Sequence, residues 1–156
     1  MTSILCLGSN LNDPSQQIQN ALQFLNLQPE LHVLRYSDPL TSAPYGVTEQ
    51  ADFVNCLVEI ETMLDPLSLL ETIKAIESQM GRIPSFRWGP RLIDIDIIFM
   101  EDSIVNYDDL IVPHVDLQNR FYLLSLLKDF CPDAVHPVLQ KSMMTLYNDY
   151  CTLGGV

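Results

Sequence analysis

Apolar positions along the chain change period from block to block, and the periods divide it into elements. Residues 3–8 (Ser-Ile-Leu-Cys-Leu-Gly) form a continuous apolar run closed by a glycine, the pattern of a buried strand. Behind Asp13 and Pro14, a capping residue type followed by a helix-starting one, Ile18, Ala21, Leu22 and Leu25 recur at helical spacing until Pro29. Residues 31–36 read as extended, and 37–52, with Pro39, Pro44 and Gly46, as a turn-rich loop. Over residues 53–61 the pattern alternates: Val54, Cys56, Val58 and Ile60 share one face, and Phe53, Asn55, Leu57, Glu59 and Glu61 the other.

Asp65-Pro66 repeats the helix-start signal, followed by a stripe of Leu69, Leu70, Ile73, Ile76 and Met80 that Gly81 can end. Residues 83–90, with two prolines and a glycine, predict a loop, and 92–100 a strand with Ile93, Ile95, Ile97 and Phe99 on one face. Beyond it come short stretches at 103–106 and 110–113 and helix-like segments at 122–130 and 139–150. The order β-α-β-β-α-β predicts an α+β chain with a ferredoxin-like core: a mainly antiparallel sheet, two helices on one face, and the last helical segments covering the other. No internal repeat or linker interrupts it, so residues 1–156 read as a single domain.

Charge changes this picture in a specific way. Eight Lys+Arg against twenty Asp+Glu leave a formal net charge of −12, which argues against a nucleic-acid or anionic-membrane surface. No apolar run is long enough to span a bilayer and the first ten residues lack a basic n-region, so the expected location is the cytoplasm. Cys6, Cys56, Cys131 and Cys151 lie far apart with no Cys-x-x-Cys pair, so they are expected to be idle thiols. Three of the few basic residues, Arg82, Arg87 and Arg91, crowd into one segment. In an acidic chain that crowding suits the capture of a small anion better than it suits solubility.

The arginine segment runs into Asp94-Ile95-Asp96. On a strand the two carboxylates share a face, close enough to repel each other unless something positive lies between them. Hard oxygen ligands with open positions suit Mg²⁺, and neighbouring arginines suit the phosphates it would carry; a solvated acidic face is the competing reading. No Gly-x-x-x-x-Gly-Lys or Gly-x-Gly-x-x-Gly sequence is present, so phosphate handling falls to side chains. His114, followed by Arg120, can donate to a phosphate or be merely structural. Trp88, the single tryptophan, either closes over a ligand or packs its loop onto the core. Phe53 and Asn55, on one face of a strand, offer an aromatic plane beside an amide, as a flat heterocycle requires.

Taken in order, Gly8-Ser9-Asn10-Leu11, Ser42-Ala43-Pro44-Tyr45-Gly46, Asp52-Phe53-Val54-Asn55, Glu77 with Gly81-Arg82, residues 87–96 (Arg-Trp-Gly-Pro-Arg-Leu-Ile-Asp-Ile-Asp), and Val112-Pro113-His114 with Asn119-Arg120 resemble the 6-hydroxymethyl-7,8-dihydropterin pyrophosphokinase family. The resemblance implies a ferredoxin-like fold and transfer of pyrophosphate from ATP to the hydroxymethyl group of a reduced pterin, releasing AMP, in folate biosynthesis. It implies that Asp94 and Asp96 hold two Mg²⁺ ions, that Asp96 helps activate the pterin hydroxyl, and that Arg82 and Arg91 hold and move the phosphates. Lys74, Glu77, Arg87, Trp88, His114 and Arg120 are implied on the ATP side, with Lys74 and Glu77 on the helix bordering the adenosine. Ser42, Pro44, Tyr45, Phe53, Asn55 and Tyr122 are implied on the pterin side, Phe121 being the other candidate for stacking on the ring. The expected partners are therefore ATP and a reduced pterin, with no nucleic acid and no membrane, acting on a monomer. A non-catalytic nucleotide- or pterin-binding module of the same fold is the alternative.

Overall fold

The computed structural model describes residues 1–43, 49–82 and 91–153. Its elements run β1 (Thr2–Ser9), α1 (Pro14–Asn26), β2 (Leu31–Tyr36), β3 (Leu40–Ser42), β4 (Phe53–Thr62), α2 (Pro66–Gln79), β5 (Asp94–Met100), β6 (Val105–Tyr107), β7 (Leu110–Val112), α3 (Phe121–Phe130) and α4 (Met143–Thr152). The main sheet has the order β2-β4-β1-β5, every pairing antiparallel, so α1 and α2 each connect two strands separated by one inserted between them. This is the ferredoxin-like arrangement that the element order predicts. β6 and β7 form a separate hairpin turned by Asp108 and Asp109.

Each face of the sheet carries its own core. Leu5, Leu7, Cys56, Val58, Ile60, Ile95 and Ile97 pack against Ile18, Leu22 and Leu25 of α1 and Leu69, Ile73 and Ile76 of α2. Ile4, Cys6, Leu57 and Ile98 pack against Leu123, Leu124 and Leu127 of α3 and Met143 and Leu146 of α4. The alternation within β4 divides its residues between these cores as its sequence predicts.

Several local expectations are corrected. The predicted common face of Ile95, Ile97 and Phe99 breaks at a register shift: Leu5 pairs with Ile97 but Ile4 with Phe99. The extra residue, Ile98, turns to the second core with Phe99, while Met100 rejoins the first. Regular pairing in β5 begins at Asp94 rather than at Leu92. Within the predicted loop 37–52, β3 continues along the edge of β4 that β2 occupies, and Ser37 bridges them by accepting the Leu57 N–H at its hydroxyl, 2.9 Å, and donating its own N–H to the Leu57 carbonyl, 2.8 Å. Asp13 precedes α1 without a side-chain cap; its carbonyl accepts the Gln16 and Gln17 amides. Asp65 does cap α2, its Oδ1 accepting the Ser68 N–H at 2.8 Å. The last helix begins at Met143 behind a Ser142 cap, later than the apolar stretch from 139 suggests.

The end of α2 bears directly on the site. Gly81 adopts φ 91°, where a side chain would be strained, and its N–H donates to the Ser78 carbonyl while the Arg82 N–H donates to that of Glu77. This paired turn folds the chain back over the last turn of the helix. It delivers Arg82 to the space above Glu77.

Candidate functional site

The side chains with the most chemistry stand in two rows across the second face of the sheet. Gly8 of the central strand β1 lies opposite Asn55 on one side and Asp94 on the other; one step along, Cys6 lies between Leu57 and Asp96. Because i and i+2 share a face, an amide and two carboxylates meet across a strand that contributes a glycine and a small thiol. The helices α3 and α4 leave this strip uncovered at its upper end. There it forms the floor of a cleft walled by Ser42, Phe53, Arg91, Arg120 and Tyr122.

Gly8 is required by the approach of Asn55: a Cβ at Gly8 would stand 2.6 Å from the Asn55 Oδ1, inside van der Waals contact. The Asn55 amide is oriented by two weak contacts, a Cys6 thiol donating to its Oδ1 at 3.9 Å and its own Nδ2 donating to the Ser42 hydroxyl at 3.4 Å. Tyr122 and Phe121, adjacent in sequence, separate at the start of α3. Tyr122 faces the cleft, where the Arg120 guanidinium donates to its hydroxyl at 3.4 Å, whereas Phe121 joins Tyr147 and Tyr150 of α4 with ring centroids 5.8 and 5.6 Å apart. Burial pushes the Tyr122 phenol above its usual range.

A second cleft opens off the free edge of β5, between α2 and the β6–β7 hairpin. Leu70, Ile97, Leu110 and Ile111 give it apolar walls, Asp108, Asp109 and His114 give it polar ones, and Asp96 borders both clefts. Burial and then the nearby Arg120 hold the His114 imidazole below its ordinary pKa. At neutral pH it is therefore the neutral ring. Its Nδ1 accepts the Asp116 N–H at 3.2 Å, which leaves Nε2 as the donor toward a ligand. The His114 main-chain N–H donates to the Ile98 carbonyl at 2.8 Å and fixes this segment to β5.

Burial, Asp94 and Glu77 push the Asp96 carboxyl up to about 8 in the metal-free chain. Two hard-oxygen side chains on one face, one of them costly to ionise alone, create a demand for a cation. Part of that demand is met within the chain: Arg82 Nη1 lies 3.2 Å from Asp94 Oδ1 and 2.7 Å from Glu77 Oε2. Among the described residues no three His, Cys, Asp or Glu side chains converge as a protein cage. Two carboxylates that leave the remaining positions to water and substrate oxygens fit Mg²⁺, which keeps several waters and is commonly held with the help of phosphates.

The remaining residues singled out in the sequence fall as follows. Arg91 borders the first cleft, and its main chain is fixed by Asn10: Asn10 Oδ1 accepts the Arg91 N–H at 2.8 Å, and the Asn10 N–H donates to the Arg91 carbonyl at 3.1 Å. The same buried amide donates from Nδ2 to the Ala51 carbonyl at 3.0 Å and to Gln50 Oε1 at 2.8 Å. Arg120 stands in the aromatic wall of the first cleft, paired with Asp116 at 3.2 Å, whereas His114 borders the second. Lys74 is exposed on α2. Glu77 is buried and turned toward β5, its Oε2 accepting the Ile95 N–H at 2.9 Å, so it supports the strand from behind and does not line either cleft. Burial raises its carboxyl, against the pull of the Ile95 amide and of Arg82. Pro44, Tyr45, Arg87 and Trp88 lie outside the described residues.

The sequence reading expects Cys6 to be idle and gives Gly8 and Asn10, though both stand in the stretch that carries the resemblance, no role of their own. The signal for the first two is strand parity, which becomes readable once β1 is known to lie between β4 and β5. For Asn10 the bonds span residues far apart in sequence, and no local pattern contains them. All four cysteines are free thiols, and no helix among the described residues is long and apolar enough to cross a membrane.

Residues 4–132 match the family described as 7,8-dihydro-6-hydroxymethylpterin-pyrophosphokinase (HPPK). The chain is 36% identical to the 2-amino-4-hydroxy-6-hydroxymethyldihydropteridine pyrophosphokinase of Haemophilus influenzae, over 88% of this chain and 86% of that protein. It is 40% identical to the protein of the same name from Pseudomonas aeruginosa, over 85% and 82% respectively. The Folic acid synthesis protein FOL1 of Dictyostelium discoideum is 42% identical over 86% of this chain, which spans only 20% of that longer protein. Among solved structures, a Plasmodium falciparum HPPK-DHPS with pteroate superimposes with a TM-score of 0.77 at 19% identity, covering 97% of this chain and 42% of that one. That last likeness is one of fold.

Proposed function

The chain belongs to the 7,8-dihydro-6-hydroxymethylpterin-pyrophosphokinase family of enzymes, and from that membership we propose that it transfers pyrophosphate from ATP to the hydroxymethyl group of 6-hydroxymethyl-7,8-dihydropterin, with release of AMP, as a Mg²⁺-dependent step of folate biosynthesis. The observation that carries this reading is the position of Asp96, which borders both a cleft with an aromatic wall and an amide and a second cleft with apolar walls.

The first cleft takes the pterin. Its ring lies between Phe53 and Tyr122, with Asn55 reading the donor and acceptor edge from the floor and Ser42 beside it. ATP takes the second, its base against Leu70, Ile97 and Ile111 and its phosphates running across β5 toward Asp96. His114 donates a hydrogen bond from Nε2, and Arg82 and Arg91 meet the phosphates from the side of α2 and of the segment before β5. Arg120, Lys74 and Glu77, together with Arg87, Trp88, Pro44 and Tyr45, complete the residues that the family resemblance implies.

Two Mg²⁺ held by Asp94 and Asp96 would neutralise phosphate charge and polarise the β-phosphoryl oxygens. Asp96, which borders both clefts, is placed to take the proton from the pterin hydroxyl. The hydroxyl oxygen then bonds to the β-phosphorus, the bond from that phosphorus to the α-phosphate oxygen breaks, and AMP leaves with that oxygen. Holding both substrates against one carboxylate supplies the alignment that such a displacement needs. The enzyme works on small molecules, and we place it in the cytoplasm as a single-domain monomer.

One assay tests the reading. Mixed with ATP, Mg²⁺ and the reduced pterin, the protein should form AMP in an amount equal to the pterin consumed and none when either the pterin or Mg²⁺ is withheld. Release of inorganic phosphate without pterin would identify a hydrolase instead. Binding of ATP and pterin without any AMP would identify a non-catalytic member of the fold.

A further inference from the structure

A single guanidinium nitrogen of Arg82 lies between two carboxylates that are held very differently. Glu77 is buried, and its Oε2 accepts both the Ile95 N–H at 2.9 Å and Arg82 Nη1 at 2.7 Å. Asp94 is a third exposed at the rim of the first cleft, and its contact with the same nitrogen is longer, 3.2 Å. The Ile95 amide belongs to the edge strand β5, between the two aspartates, so Glu77 fills a position that would otherwise be an unpaired N–H behind them. The turn at Gly81 ties the arginine main chain to that of Glu77, the Arg82 N–H donating to the Glu77 carbonyl.

We propose that Arg82 is the resident counter-ion of the metal site: it covers Asp94 in the metal-free protein, gives way there when a divalent cation arrives, and then rests on Glu77 alone. The proposal depends on the reading of Asp94 as a metal ligand. A divalent cation and a guanidinium on the same side of one carboxylate repel each other, and of the two contacts the longer and more exposed one yields. Glu77 is then a positioning residue. It keeps the displaced arginine at the site, beside the incoming phosphates, and holds the strand amide that separates the two metal ligands.

The exchange predicts a competition in the absence of nucleotide, measured as Mn²⁺ binding from the loss of the free-ion electron paramagnetic resonance signal. Removing the competitor in Arg82→Ala should tighten Mn²⁺ binding roughly three- to tenfold. Glu77→Gln retains an acceptor for the Ile95 amide but leaves Arg82 to Asp94 alone, so it should weaken Mn²⁺ binding by a similar factor. Adding Arg82→Ala to Glu77→Gln should restore the affinity of Arg82→Ala. Wild-type affinity in Arg82→Ala overturns the exchange, and so does a weakening by Glu77→Gln that persists in the double variant, since Glu77 would then act only as a nearby negative charge. Asp94→Asn separates the two levels: Mn²⁺ binding equal to wild type there overturns the metal-site reading itself, whereas loss of binding there with no effect of Arg82→Ala overturns only the exchange. Slow hydrogen exchange of the Ile95 amide in Glu77→Gln verifies that the strand is intact.

Discussion

The two faces of the sheet are built from the same strands and do different work. On one, α1 and α2 pack against the strands, and Leu5, Leu7, Leu25, Leu69 and Ile73 are almost wholly buried, with the Glu77 carboxylate at the end of α2 tied to the Ile95 amide. On the other, α3 and α4 pack against the lower part, where Cys6 still belongs to the core, and the floor of the first cleft above it holds Asn55, Gly8, Asp94 and Asp96. The first face supplies stability and the second spends some of it: a carboxylate crowded by a like charge is tolerated there because the opposite face holds the strands in register. The candidate site thus lies where the second helical layer stops.

Substitutions on each face should separate these roles. The largest effect is expected from Asp96→Asn, which should lower AMP formation by at least about a hundredfold while leaving the circular dichroism spectrum unchanged; near-normal turnover would remove Asp96 from the reaction. Gly8→Ala comes next. Its Cβ must displace the Asn55 amide, and we expect a cost of about 1–3 kcal/mol shared between folding and pterin binding, with ATP affinity unchanged in calorimetric titrations. Equal losses for both substrates would show that the floor is not specific to the first cleft.

On the closed face, Ile73→Ala should cost about 2–5 kcal/mol of unfolding free energy, read from denaturant melts, with KM values within about twofold of wild type. A large change in KM there would join the two faces that the comparison separates. The last effect is one of pH. The folded Asp96 carboxyl titrates near 8, above its unfolded value, so its protonation favours the folded state. That contribution is complete below the ordinary carboxylate range and is lost as pH rises through about 8. In chelator, the melting temperature of wild type should therefore fall relative to that of Asp96→Asn between pH 6 and 9, and a constant difference would contradict the raised value.

How much of this was legible in the sequence follows the range of the interactions. The alternation of β4, the stripe of α2 and the Asp65-Pro66 start are local patterns, and they appear in the structure as read. The strand β3 was hidden because three residues between prolines carry no period, and the bulge at Ile98 because it arises from pairing with β1. Asp94, Asp96, Phe53 and Asn55 could be singled out by residue type and parity, yet their meeting across Gly8 required the strand order. Glu77 shows the limit most clearly. The family resemblance implies it on the ATP side, and the structure adds that its buried carboxylate accepts a backbone amide of another strand, a partner that only the assembled fold provides.

Gly8 leaves one more consequence. The floor between Asn55 and Asp94 is bare main chain, so the room that the proposed pterin site requires there comes from an omission. Side chains elsewhere in the cleft have counterparts of similar size or charge, but at this position every replacement is an addition. A site founded on an empty place has no conservative mutation available to it, and drift at that residue can only narrow what the enzyme admits.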